Sequence, residues 1–149
     1  VVNGRSLDDP MYKAKLAFLD AMKRRATQLA GERLVIAGDF NIAPADIDVY
    51  DPMLFDGATH VSSAERESLS SLVRTGLVDA FRALHPETVQ HTWWDYRQGH
   101  FHRGMGLRID LALVSHDLAV RLISAGIDRD FRKGAKPSDH APLLFEFND

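Results

Sequence analysis

The sequence predicts an α/β fold, on three observations. A helix pattern ending near Gly31 runs within a few residues into an apolar segment, Arg33 to Ala37, that reads as a buried strand. A second helix-then-strand succession follows near the C-terminal end, over 117–122 and 123–127. Three polar clusters, Gly38-Asp39-Phe40-Asn41, Arg108-Ile109-Asp110 and Ser138-Asp139-His140, each adjoin apolar strand-like sequence. Open α/β sheets gather their chemistry at such places, outside the carboxyl ends of strands.

Val1-Val2-Asn3-Gly4-Arg5 reads as a strand end entering a turn. Residue 1 is not Met and the chain opens inside structured sequence, so a preceding piece is expected; a trimmed terminus is the alternative. Asp9 followed by Pro10 marks a helix start, with Asp9 as N-cap and Pro10 in the first turn. Phe18, Leu19, Met22, Ala26 and Leu29 recur at helical spacing, and Gly31 ends the helix. The strand over 33–37 comes next, then an irregular stretch over 42–61 with Pro44, Pro52 and Gly57. Ser62 and Glu65 form a capping box for a helix whose apolar face is Leu69, Leu72 and Val73, with Gly76 as its stop. Residues 77–81 read as a short helical turn closed by Pro86. The run from His91 to Tyr96 has high β propensity, and a basic, glycine-containing loop links it to the next strand. From Arg108 to Val114 the pattern puts Ile109, Leu111 and Leu113 on one face and Asp110 on the other. The last strand spans 142–147, and with no repeat or linker the 149 residues are one domain or part of one.

Composition excludes several classes. Hydrophobic residues make up 45% and charged residues 26%, as in a soluble globular domain, and no apolar run is long enough to span a membrane. There is no cysteine, hence no disulfide scaffold and no thiolate metal site, in keeping with a cytoplasmic setting. The net charge of −3 argues against general electrostatic coating of nucleic acid. Locally, residues 97–108 carry three arginines, two histidines and no acid, and Arg129, Arg132, Lys133 and Lys136 form a second basic stretch. Both flank the polar clusters, and both also read as solvated loops.

Asp39 at a strand end can bind a hard divalent cation or act as a base, and Asn41 can orient water or donate to a phosphoryl oxygen. The same residues also suit an Asx-turn closing the strand. In Asp139-His140, a carboxylate partner would set the histidine tautomer and raise its pKa. Asp110 is the candidate for that partner; ordinary turn chemistry is the alternative. The aromatics of Trp93-Trp94-Asp95-Tyr96 can stack on bases, or be core. P-loop, HExxH and GxSxG patterns are absent.

Taken together, four motifs carry a family resemblance. They are Gly38-Asp39-Phe40-Asn41-Ile42-Ala43-Pro44, Thr92-Trp93-Trp94-Asp95-Tyr96-Arg97, Gly106-Leu107-Arg108-Ile109-Asp110 and Pro137-Ser138-Asp139-His140-Ala141-Pro142. Their order and spacing resemble exonuclease III, the bacterial apurinic/apyrimidinic endonuclease branch of the endonuclease/exonuclease/phosphatase superfamily. The resemblance implies a four-layer α/β sandwich (DNase I-like) of which residues 1–149 are the C-terminal portion. It also implies metal-dependent DNA phosphodiester hydrolysis in base excision repair: abasic-site endonuclease and 3′-to-5′ exonuclease activity with Mg²⁺ or Mn²⁺. Double-stranded DNA with abasic sites or 3′ ends would be the partner, with no membrane, and the complete protein would be a monomer.

The resemblance implies roles for individual residues. Asp39 activates or orients the attacking water. Asn41 contacts the scissile phosphate or metal, His140 contacts the phosphate and is itself held by Asp110, and Asp139 lies at or near the metal. The catalytic group is then Asp39, Asn41, Asp110 and His140, and the metal group Asp39, Asn41, Asp139 and His140. Asn3 and Arg5 resemble a DNA-phosphate contact; Trp93, Trp94 and Leu107 resemble the pocket for a flipped abasic sugar, with Arg108 beside them. A metal-binding glutamate and an early asparagine of the family have no counterpart here, and the family's tyrosine would fall just before Val1. Two other readings remain at this stage: a truncated, inactive DNA- or partner-binding fragment, and a phosphatase acting on a small or lipid phosphate.

Overall fold

In the computed structural model, which describes residues 1–149, Asp9 caps helix α1 (Pro10–Gln28) by accepting from the Met11 amide at 2.8 Å. Its buried residues are Tyr12, Lys15, Leu19 and Ala26, so the inward face differs from the expected one. Phe18 points to solvent and a lysine points in. Strand β1 (Val35–Asp39) begins two residues later than expected and takes in Gly38 and Asp39. It is partly exposed rather than buried, because one of its faces lacks cover. Two 3-10 turns, Asp46–Asp48 and Pro52–Phe55, organise the irregular stretch. Helix α2 (Ser63–Val73) opens on the predicted capping box, with Ser62 and Glu65 each bonding the other's amide.

The segment read as a helical turn divides instead into strand β2 (Leu77–Asp79) and helix α3 (Ala80–Leu84). Pairing with a distant strand fixes Leu77 to Asp79 as extended, and Asp79 then caps α3 through the Arg82 amide at 3.1 Å. The tryptophan run yields only β3 (Trp93–Trp94), which pairs antiparallel with β4 (Gly106–Leu107). The remaining elements are a 3-10 turn (Arg97–Gly99), β5 (Asp110–Ser115), α4 (His116–Ala119), β6 (Leu122–Ile127), a 3-10 turn (Arg129–Lys133) and β7 (Leu143–Phe147).

Strand β5 is the axis of the molecule. It lies between β1 and β2 and pairs antiparallel with both. Leu111 and Leu113 pack with Leu19, Phe40, Leu69 and Leu72 under α1 and α2, whereas Ala112 and Val114 meet residues of α3 and the β6–β7 pair. The expected parity therefore holds: Asp110 shares its side with Ala112 and Val114. The pairings are antiparallel throughout, so the three polar clusters do not all sit at carboxyl ends of strands. Asp39 ends β1, Asp110 opens β5, and His140 precedes β7. Antiparallel register makes these one end of the structure.

Candidate active site

Phe40 is 2% exposed and packs into the core below α1 and α2, which fastens the turn after β1. Its amide donates to the Ile109 carbonyl at 2.9 Å. The Asn41 amide donates to Asp39 Oδ1 at 2.7 Å and the Asn41 carboxamide to Asp39 Oδ2 at 2.8 Å. This is an Asx-turn closing the strand, and it also holds a carboxylate and a carboxamide side by side. Asn41 has φ 54°, a left-handed conformation that asparagine tolerates better than most residues.

Asp39 and Asp110 are direct register partners across β1 and β5. Thr92, fully buried, accepts from the amides of Ile109 and Asp110 at 3.0 Å each, and its carbonyl accepts from the Ala141 amide at 2.7 Å. One threonine thus ties the Asp110 segment to the His140 segment. His140 Nδ1–H donates to Asp110 Oδ2 at 2.8 Å, which orients the ring and leaves Nε2 as the outward nitrogen. The hydrogen bond to Asp110 raises the His140 pKa; burial opposes this, and the charges of Asp110, Asp39 and Asp139 add to the rise. Burial raises the Asp39 pKa, and the charge of Asp110 adds to it against the pull of the Asn41 amide and His140. A carboxyl and an imidazole, both with raised pKa, therefore lie at one end of the sheet, beside a cleft of about 490 Å³ that Gly38, Asp110, His140, Phe131 and Phe145 help to line.

The predicted catalytic residues Asp39, Asn41, Asp110 and His140 are brought together, but the predicted ligand set is not a closed shell. No group of three or more histidine and acidic side chains gathers to hold an ion. Asp139 Oδ2 accepts from Trp93 Nε1 at 3.0 Å, and His140 is turned to Asp110. The oxygens of Asp39 and Asn41 suit a hard cation in type, while the set falls short in number.

Three of the predicted DNA contacts are corrected by burial. Leu107 is fully buried against Ala43, Val49 and Ile109. Trp94 is 1% exposed, covered by Phe101 with the Arg129 and Arg132 guanidinium groups over its ring. Arg108 is 1% exposed; its Nε donates to Asp48 Oδ1 at 2.6 Å, and Nη1 lies 2.8 Å from Asp79 Oδ2, an ion pair off the angle of a hydrogen bond. Its charge is spent internally. Trp93 is half-buried and its indole edge reaches Asp139. Asn3 and Arg5 are exposed, and Gly4 between them passes so close to Tyr12 of α1 that a Cβ would sit 2.7 Å from the Tyr12 amide nitrogen.

The basic stretches are also partly neutralised. Arg97 embraces Asp95, whose carboxyl it holds down at about 2. Arg132 is buried and donates to the Ser138 carbonyl, fixing the segment before His140. Sequence reasoning missed Thr92 as a bridge, and it missed Lys15, His60 and Glu65, which surround the Asn41 carbonyl. A lysine in phase with the apolar face of α1 was the available signal for one of them.

The model of the endonuclease/exonuclease/phosphatase family matches residues 2–140. The chain is 40% identical over 121 residues to exodeoxyribonuclease III of Haemophilus influenzae, a match covering 76% of this chain and 45% of that protein. Among solved structures it is similar to the 3′ phosphatase NExo from Neisseria bound to a product DNA hairpin, with TM-score 0.95 and 42% identity over 99% of this chain and 58% of that one. An AP endonuclease from Archaeoglobus fulgidus gives TM-score 0.93 and 32% identity, covering 98% and 58%. The chain thus spans about half the length of the relatives it matches.

Proposed function

Given that the chain belongs to the endonuclease/exonuclease/phosphatase family, in its exonuclease III and abasic-site endonuclease branch, we propose that in the whole protein its residues hydrolyse DNA phosphodiesters. The substrates are duplex DNA cut 5′ to abasic sites and 3′ ends trimmed or cleaned. One observation carries this reading: Asp39 and Asp110 face each other in register, with His140 hydrogen-bonded to Asp110.

In the reaction, water forms a new P–O bond as one P–O ester bond breaks, and the departing ester oxygen leaves as an alcohol with a proton taken up from solvent. Asp39, held beside Asn41, orients the attacking water and takes its proton. His140, its pKa raised by Asp110, presents a protonated Nε2 to a non-bridging phosphoryl oxygen and stabilises the charge that grows there. The Asn41 carboxamide is placed beside the same phosphate. Asp139 and Trp93 hold each other, which sets the ring that faces the extruded abasic sugar. The family is divalent-metal dependent; Mg²⁺ or Mn²⁺ is the cation that Asp39 and Asn41 would hold, with further ligands from outside these 149 residues, and it supplies charge neutralisation at the phosphate. Arg5, Arg103 and Lys136, all exposed, are the residues left to meet backbone phosphates.

Open apolar surface supports a further part of the reading. Val35 on the Val114 side of β1, Phe131 in the 3-10 turn and Leu144 on the outer side of β7 are 40%, 70% and 58% exposed, apolar surface of the kind that packs against other layers. We assign those layers to the remainder of the same domain, completing a four-layer sandwich.

The test is a substrate comparison on the full-length protein with Mg²⁺ or Mn²⁺: an abasic-site duplex, a 3′-phosphate primer, and inositol and lipid phosphates. Cleavage of the two DNA substrates with the other phosphates untouched is expected. Faster release from the small or lipid phosphates would replace this reading by the phosphatase one. Tight DNA binding with no cleavage of any substrate would replace it by the binding module.

A further inference from the structure

Below the turn that carries Asp39 and Asn41 lies a polar network that the reaction does not use directly. Lys15 of α1 and Glu65 of α2 have fully buried side chains and pair at 2.5 Å. The lysine ammonium has three donors. They reach Glu65 Oε1, the Asn41 carbonyl at 2.6 Å and Asn3 Oδ1 at 3.4 Å. The same Asn41 carbonyl meets His60 Nδ1 at 2.8 Å. A carbonyl only accepts, so Nδ1 carries the proton, and neutral Nε2 then faces the Asn3 carboxamide nitrogen at 3.4 Å. Two donors from different elements therefore converge on one carbonyl.

That carbonyl belongs to a residue in the left-handed region, and His60 is itself at φ 76°. Such conformations cost free energy and persist where the surroundings over-determine them. The network does this. Glu65 accepts from the His60 amide at 3.1 Å, and its second oxygen accepts from the Ser62 amide and hydroxyl at 3.0 and 2.7 Å, which anchors the pair in the capping box of α2. The His60 ring stacks on Trp93, with centroids 6.4 Å apart and planes 27° apart.

A buried ion pair between two helices is seldom needed for stability, since apolar residues of like volume serve as well or better. Here the pair is aimed at the residue whose backbone angle decides where the Asn41 carboxamide lies. Through the Asn41 amide it also decides where Asp39 Oδ1 is held.

We propose that Lys15, Glu65 and His60 are positioning residues, whose network clamps the Asn41 carbonyl and thereby sets the Asp39–Asn41 pair and couples it to Trp93. The role rests on the reading of Asp39 and Asn41 as reactive groups.

The test is the double substitution Lys15→Met with Glu65→Leu in the full-length protein. Three quantities are read: the thermal midpoint, single-turnover cleavage with its KM, and the Asn41 side-chain amide resonances by ¹⁵N NMR. The midpoint is expected to fall, because Glu65 also accepts from the His60 and Ser62 amides, and the other two quantities are read well below it. The rate constant is expected to fall about 10- to 100-fold, with KM changed by less than about threefold. The Asn41 amide protons are expected to lose their protection from exchange. Parent-like turnover with an unchanged Asn41 signal would overturn the proposal, leaving the pair a packing device. Should the double variant fail to fold, His60→Gly, which removes one donor and the stacked ring without backbone strain, decides on the same readouts, with a fall of about tenfold expected. Should the parent protein itself cleave no DNA, the hydrolytic reading fails alone, and the Asn41 signal still decides the clamp.

Discussion

Asp39 and His140 are both shifted upward, and the two shifts do different work. A carboxylate moved up toward neutrality takes a proton more readily, and a histidine moved up holds its proton to higher pH. Burial drives the first and the Asp110 hydrogen bond the second. Elsewhere burial acts on a histidine with the opposite sign. His91 packs beside Trp94 with ring centroids 6.2 Å apart, its Nε2 has no partner, and its pKa is pushed from 6.5 down to about 4. Its folded value lies below its unfolded one, so the folded state prefers the neutral ring. The stability this represents is present above about pH 6.5 and is lost as pH falls toward 4, by at most about 3 kcal/mol. An NMR titration of the His91 ring should show a midpoint about 4, with unfolding free energy falling over the same interval. A midpoint near 6.5 would show that the ring is solvated.

Element starts were legible where the signal was local. Asp9-Pro10 before α1 and Ser62 with Glu65 before α2 form their bonds within a few residues, so sequence spacing was enough. Leu77 to Asp79 was misread because its strand state comes from β5, more than thirty residues away. The four site residues were legible as motifs, but the network under Asn41 was not. Lys15 and Glu65 lie 50 residues apart, and only the packing of α1 on α2 brings them together. Arg108 shows the converse, a residue inside a motif whose position in a basic stretch misled. It joins the 3-10 turn at Asp48 to β2 at Asp79, and Asp48 is further held by Arg82 at 2.6 Å. Arg108→Leu should therefore destabilise the fold by about 3 kcal/mol, since it strips one partner from a buried carboxylate. The dependence of DNA affinity on salt should keep the parent's slope in this variant, read at a temperature where it remains folded. A slope lower by about one unit would mean that Arg108 meets a phosphate after all.

At the scale of the whole molecule, the antiparallel β1–β5–β2 sheet carries α1 and α2 on one face; on the other, α3 and the β6–β7 pair cover β5, while Val35 of β1 stays 40% exposed. The metal group read in the sequence, already without the family's glutamate, brings no three histidine or acidic side chains together here. The account's central claim is that Asp39 and Asn41, with Asp110 and His140, form a phosphodiester-hydrolysing site. Single-turnover cleavage of an abasic-site duplex by full-length protein carrying Asp39→Asn tests it most directly, with DNA affinity measured alongside. The account predicts a rate lower by about a hundredfold or more with affinity little changed, whereas cleavage at close to the parent rate would contradict it.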